Sequence, residues 1–325
     1  MKKGALAAVL LLCCLGALTG CTASPPDNVM RFGTEGQILI SASTAELSPA
    51  QREITLYYRY KDTACLAPET RLIQVQRNES LEKAVAQALI DGPGAASSAL
   101  SPLFPPGTEA LAAAVQEDTL FITFNEELLG RYADEPSDAA QGSWRVEGPL
   151  RRQLCLDALT ATMTEAGLCS RVQVLVYRGA GQSTSMRLQN GFFTRSQDSA
   201  LVPPLTRNES RLLTPHNTAS LLLQAWQTQD WESLYDFTAR EGVLARPGEQ
   251  AALDGYASSA QLVDYSVSSG SVSPDGQSAV LTAEMTLSLR ESSWSVQGYP
   301  LHLMREEGLW KMDQADVERL MNAGR

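Results

Sequence analysis

The strongest constraint on this chain lies near its C-terminal end. Residues 262–272 and 278–289 alternate apolar and polar side chains on either side of Pro274-Asp275-Gly276. Period two sends successive side chains to opposite faces of a strand. Proline presets the turn dihedral and glycine accepts positive φ, so the two runs must fold back on each other as antiparallel strands. A third run at 294–304 and a short fourth at 308–313 extend the meander, and a final helix follows. One face of such a sheet needs an apolar cover. The segment just upstream supplies it: Thr214-Pro215 pairs an N-cap with an N1 proline, opening a helix through Leu221, Leu222, Ala225 and Trp226, and Asp230 caps a second helix at 231–239. Helices followed by a meander predict an α+β roll over 214–325.

The chain has 325 residues, enough for a second domain at roughly 100 to 200 residues each. Strands are predicted at 54–58 and at 71–75, the latter after a turn at Pro68. Ser80 then caps a helix whose stripe is Leu81, Ala84, Val85, Ala88 and Leu89, and Gly92-Pro93 stops it. Residues 111–115 and 120–124 flank Gln116-Glu117-Asp118-Thr119 as a hairpin. A polar loop at 130–144 leads to a helix at 150–166, which Gly167 ends before a strand at 172–177. The order ββαββαβ predicts a compact α+β unit over 52–195, and the proline-marked segment 196–213 reads as a linker. The fold class is therefore α+β, with two compact domains.

Ahead of them, Lys2 and Lys3 precede an apolar run from Ala5 to Leu18, which has the length of a secretory signal and is short for a membrane span. The run ends Leu18-Thr19-Gly20-Cys21, which resembles the bacterial lipobox. That predicts a signal peptide at 1–20, lipidation of Cys21 and a tether at 21–51 carrying a short strand at 38–40. The expected location is the extracytoplasmic face of the cell membrane, held by covalent lipid. Two acyl chains at about 0.8 kcal/mol per buried CH₂ anchor stably where one does not. Electrostatics adds nothing to this anchor. The net charge is −11, and Arg151-Arg152 is the one adjacent basic pair beyond the signal. Such a balance repels phosphate backbones, and no nucleic-acid partner is expected. After removal of the signal and lipidation, Cys65, Cys155 and Cys169 remain. An odd number leaves at least one thiol unpaired, and a Cys155 to Cys169 bridge stays open. Without C-x-x-C or His-x-x-x-His spacing, no metal site is predicted.

Five segments then carry a resemblance. Leu56-Tyr57-Tyr58, Ala67-Pro68-Glu69-Thr70-Arg71, Ala88-Leu89-Ile90-Asp91-Gly92-Pro93, Leu103-Phe104-Pro105-Pro106-Gly107-Thr108 and the run from Leu156 to Thr164 resemble, in preserved order, the GerMN domain of sporulation and spore germination proteins. The resemblance implies a binding or scaffolding domain of bacterial cell-surface lipoproteins and sporulation proteins, with no established catalytic residues to carry over. Gln229-Asp230-Trp231 and the run Gly308 to Met312 are similar to the cystatin-like, nuclear-transport-factor-like superfamily. That fold hosts enzymes and binding modules alike and does not fix a function.

Chemistry is sparse by comparison. Only His216 and His302 could serve as a histidine base, and there is no Gly-x-Ser-x-Gly. Ser80 and Lys83 fit Ser-x-x-Lys, yet Ser80 already has a capping role. Glu126-Glu127 and Glu306-Glu307 are adjacent acids that point to different sides, and Gly179-Ala180-Gly181 lacks the rest of a dinucleotide loop. No catalytic, cofactor-binding or metal residue is predicted. The expected role is a membrane-anchored, non-catalytic binding or scaffolding protein of the cell envelope, with an envelope protein or peptidoglycan as partner, in sporulation, germination or wall assembly. The competing reading is an enzyme with a pocket in the C-terminal roll. A solute-binding lipoprotein fits less well, because it needs two βαβ lobes around a cleft.

Overall fold

The computed structural model describes residues 31–32, 38–39, 50–137, 142–179 and 184–324. Cys21 and the predicted signal peptide lie outside the described residues. The chain divides into two units, 1–48 and 49–325. Within the first, β1 (Arg31–Phe32) pairs antiparallel with β2 (Ile38–Leu39), where the tether strand was expected.

The second unit opens with β3 (Ala50–Tyr60) and β4 (Leu66–Val75), an antiparallel hairpin that runs from Ala50 opposite Val75 to Arg59 opposite Leu66. Pro68 does not turn the chain as expected. It sits inside β4 opposite Tyr57, and the reversal falls at 61–65, where Lys61 takes positive φ. β4 is an edge strand, and a proline there removes no ladder bond because its missing N–H faces away from β3. α1 (Leu81–Ile90) follows, with the Ser80 hydroxyl accepting from the Lys83 amide at 3.2 Å. β5 (Leu100–Ser101) completes a three-stranded sheet on the other side of β3.

A second sheet has the order β6-β7-β8-β9, built from β6 (Ala110–Gln116), β7 (Thr119–Phe124), β8 (Arg171–Val176) and β9 (Met186–Arg187). β7 and β8 are parallel, which requires a crossover. α2 (Trp144–Glu165) provides it. This helix starts well before the expected 150 and carries Pro149 inside. At the sixth position of the helix the proline forgoes the amide bond to the Arg145 carbonyl, and side chains hold the first turns in place. Glu147 pairs with Arg59, and the Arg151 guanidinium lies over the rings of Trp144 at 5.0 Å and Tyr132 at 4.9 Å.

After the short α3 (Gly191–Thr194), the C-terminal part folds as helices then meander. α4 (Pro215–Thr228) and α5 (Trp231–Asp236) carry the expected caps, with Thr214 accepting from the Asn217 amide and Asp230 from that of Ser233. α5 ends before the expected 239 because the backbone beyond it is claimed elsewhere. Met312 donates to the Phe237 carbonyl at 2.9 Å, and Ala239 donates to that of Met312 at 2.8 Å. α6 (Glu249–Ala257) was not foreseen; it buries Ala252 and Tyr256. β10 (Gln261–Val272), β11 (Ser278–Leu289), β12 (Ser292–Glu306) and β13 (Leu309–Lys311) form an antiparallel sheet in sequence order, and α7 (Gln314–Met321) closes the chain.

Two hydrophobic cores result. Leu56, Tyr58, Leu89, Ile122, Phe124, Leu154 and Val174 belong to the first. The second gathers Leu222, Trp226, Leu262, Leu281, Leu287, Leu303 and Val317, and also takes Tyr60, Cys65 and Ala67 from the tip of the β3–β4 hairpin. The Tyr60 ring lies 5.9 Å from that of Phe237, Lys61 pairs with Asp236, and the Leu213 amide donates to the Leu66 carbonyl at 2.9 Å. The segment expected as a linker is fastened to the first core. Leu205 bridges Val172, Leu201 bridges Gln189, and Val202 and Leu212 are buried.

Candidate functional site

The residues weighed for chemistry in the sequence are not brought together. Ser80 caps α1. His216 is exposed in the first turn of α4, with Nε2 3.2 Å from the Val267 carbonyl, while His302 is exposed on β12 opposite Val280. Glu306 accepts from the Arg240 amide at 2.7 Å and lies 3.5 Å from Lys311. Among the described residues no three His, Cys, Asp or Glu side chains converge on a common point as metal ligands would. Cys65, Cys155 and Cys169 are free thiols, and burial raises the pKa of all three.

A different group of residues lines one cavity. A cavity of about 250 Å³ opens beside the β8–β9 end of the second sheet. Its apolar lining includes Leu129, Val176, Met186 and Phe192, and its charged lining residues are Arg178, Arg187 and Arg195. Each comes from a separate local feature: Arg178 follows β8, Arg187 lies on β9, and Arg195 is the C-cap of α3 with φ of 52°. The left-handed region is costly for a side chain that is not glycine, and here the backbone is held by two amide donors, Gly191 to Asp198 and Asn190 to Ala200.

Behind the cavity wall lies the best-buried charge cluster of the described residues. The Glu135 side chain is fully enclosed; its Oε2 accepts from Arg152 at 2.9 Å and from Arg195 Nη2 at 3.5 Å, and its Oε1 forms an ion pair with Arg195 Nε at 2.8 Å without hydrogen-bond geometry. It also caps the Tyr132 amide at 3.1 Å, and the Tyr132 hydroxyl donates to the Leu103 carbonyl. One carboxylate thus serves two guanidiniums. Burial lowers the Arg195 pKa, as does repulsion from Arg152 and Arg131, against the attraction of Glu135. Arg187 is held by the Val202 carbonyl at 3.0 Å. Arg178 has no hydrogen bond or ion pair to another described residue. The cavity therefore carries an uncompensated positive charge in a chain whose net charge is −11. Sequence reading missed it because the three arginines stand apart in the chain, each looking like an ordinary surface charge.

Residues 55–177 match the family model Germane, described as sporulation and spore germination. Among solved structures, the tandem GerMN domains of the sporulation protein GerM from Bacillus subtilis share 17% identity over 52% of this chain and 50% of that one, with a TM-score of 0.32. This chain thus spans about half the length of the tandem structure. A putative lipoprotein from Clostridium perfringens shares 20% identity over 50% of this chain and 90% of its own, at a TM-score of 0.27. The first GerMN domain of GerM shares 13% over 46% and 97%, at 0.28. No curated protein matches the sequence.

Proposed function

From the premise that residues 55–177 form a sporulation and spore germination domain, we propose that the chain is a lipid-anchored protein of the bacterial cell envelope, with a non-catalytic binding or scaffolding role in sporulation, germination or wall assembly. The family match carries this reading. The Leu18-Thr19-Gly20-Cys21 motif supports the anchor: a diacylated Cys21 holds the protein on the extracytoplasmic face, and no helix of the described residues is long and apolar enough to cross a membrane. The surfaces are presented by a body in which one hairpin enters both hydrophobic cores, so partners bound to either part are held in a fixed relation. An envelope protein or peptidoglycan is the partner class this location supplies.

Membrane fractionation and spore counts test it together. Cys21→Ala should leave a folded protein that no longer sediments with membranes, and should reduce spore yield or germination as a deletion does. A Cys21→Ala protein that still sediments would overturn the anchor. Should Ser80, His216 and His302, all replaced by alanine, leave a stable, membrane-bound protein as defective as the deletion, the scaffold role gives way to catalysis.

A further inference from the structure

We propose that the arginine-lined cavity binds the carboxylate of a short apolar peptide or acylated amino acid. Three arginines and no carboxylate line this cavity, so an anion placed there meets positive charge that no other lining side chain offsets. The fork of a guanidinium matches a carboxylate bidentately. Arg178 makes no hydrogen bond or ion pair with another described residue, and Arg187 has only the Val202 carbonyl. Both keep donors for a ligand. Arg195 is fixed from behind by the enclosed Glu135, which positions its guanidinium without neutralising it, because Arg152 shares the same carboxylate. The remaining lining decides the rest of the ligand. Leu129, Val176, Met186 and Phe192 offer nothing to a second charge and favour an apolar side chain next to the carboxylate. A volume of about 250 Å³ is on the scale of one or two small residues.

The assignment deepens the binding reading, and its test is separable from that of the anchor. Full-length protein in neutral detergent is titrated with N-acetyl-alanyl-leucine, with the same dipeptide as its C-terminal amide, and with inorganic phosphate, followed by calorimetry. The acid should bind, with the amide and phosphate each weaker by about tenfold or more, as loss of a charge-assisted pair or of the apolar contact implies. In Arg178→Gln/Arg187→Gln, which leaves the Glu135 pairs intact and gives up only the Arg187 bond to the Val202 carbonyl, acid binding should fall by at least about tenfold while circular dichroism shows the fold retained. Leu129→Ser keeps the arginines and should weaken the acid while leaving phosphate unchanged. Equal binding of acid and amide, equal binding of phosphate, or no response to the arginine double variant overturns the proposal. Membrane retention through Cys21 is unaffected by any of these results.

Discussion

Tyr60 sits at the end of β3, a strand of the first sheet, yet its ring is only 4% exposed and packs into the second core against Phe237. Tyr60→Ala should therefore destabilise a part of the protein to which its own strand does not belong. Truncating a buried aromatic costs about 3–5 kcal/mol, from lost transfer energy and the cavity left behind. Four of the five tryptophans, Trp226, Trp231, Trp294 and Trp310, lie in the C-terminal part, and Trp226 is fully buried in the second core. Tryptophan fluorescence therefore reports that core. With an m-value of roughly 2 kcal/mol/M, the fluorescence midpoint in urea should fall by about 1.5–2.5 M. Tyr60→Phe keeps the ring and should fall by less than a quarter of that. If Tyr60→Ala leaves the fluorescence midpoint unchanged while circular dichroism shows the protein destabilised, the tip does not belong to the second core.

Four further outcomes are expected. Glu135→Ala strands Arg152 and Arg195 beside an empty site and should cost about 3–5 kcal/mol in urea unfolding, with part of the loss recovered when Arg152 is also made Met. Ser80→Ala should cost about 1 kcal/mol, read as a lowered melting temperature. Burial raises the Asp157 carboxyl, so its contribution to stability is full below the ordinary carboxylate range and is lost as pH rises through the folded value. Asp157→Asn should thus be more stable than the parent at neutral pH, with the difference vanishing in acid. Iodoacetamide should modify the half-buried Cys169 first, and Cys65 and Cys155 only on unfolding, as peptide mapping would show.

What could be read in advance was local. Ser80, Thr214-Pro215, Asp230 and Pro274-Asp275-Gly276 act through hydrogen bonds or dihedrals within a few residues, and each element they delimit is present. The departures involve partners far along the chain. Pro68 became a strand residue because only the sheet order makes β4 an edge, and α2 gained its first turns through Arg59, distant in sequence. α5 lost its last residues to Met312 for the same reason. α6 had a signal that was passed over: Ala252 and Tyr256 stand four apart after Pro247-Gly248. The cavity had none, since no spacing relates Leu129, Arg178 and Arg195.

The shared hairpin has a mechanical consequence. β3 is eleven residues of extended backbone, about 35 Å from end to end. Extended chain holds no slack, so it cannot lengthen as a helix or a loop would. A pull applied ahead of Ala50 is therefore met first by the β3–β4 pairing and by Leu56 and Tyr58 in the first core, and only what these pass on reaches Tyr60. Whatever load passes the first sheet enters the second core at its interior, where Tyr60 and Cys65 are seated, rather than at its surface.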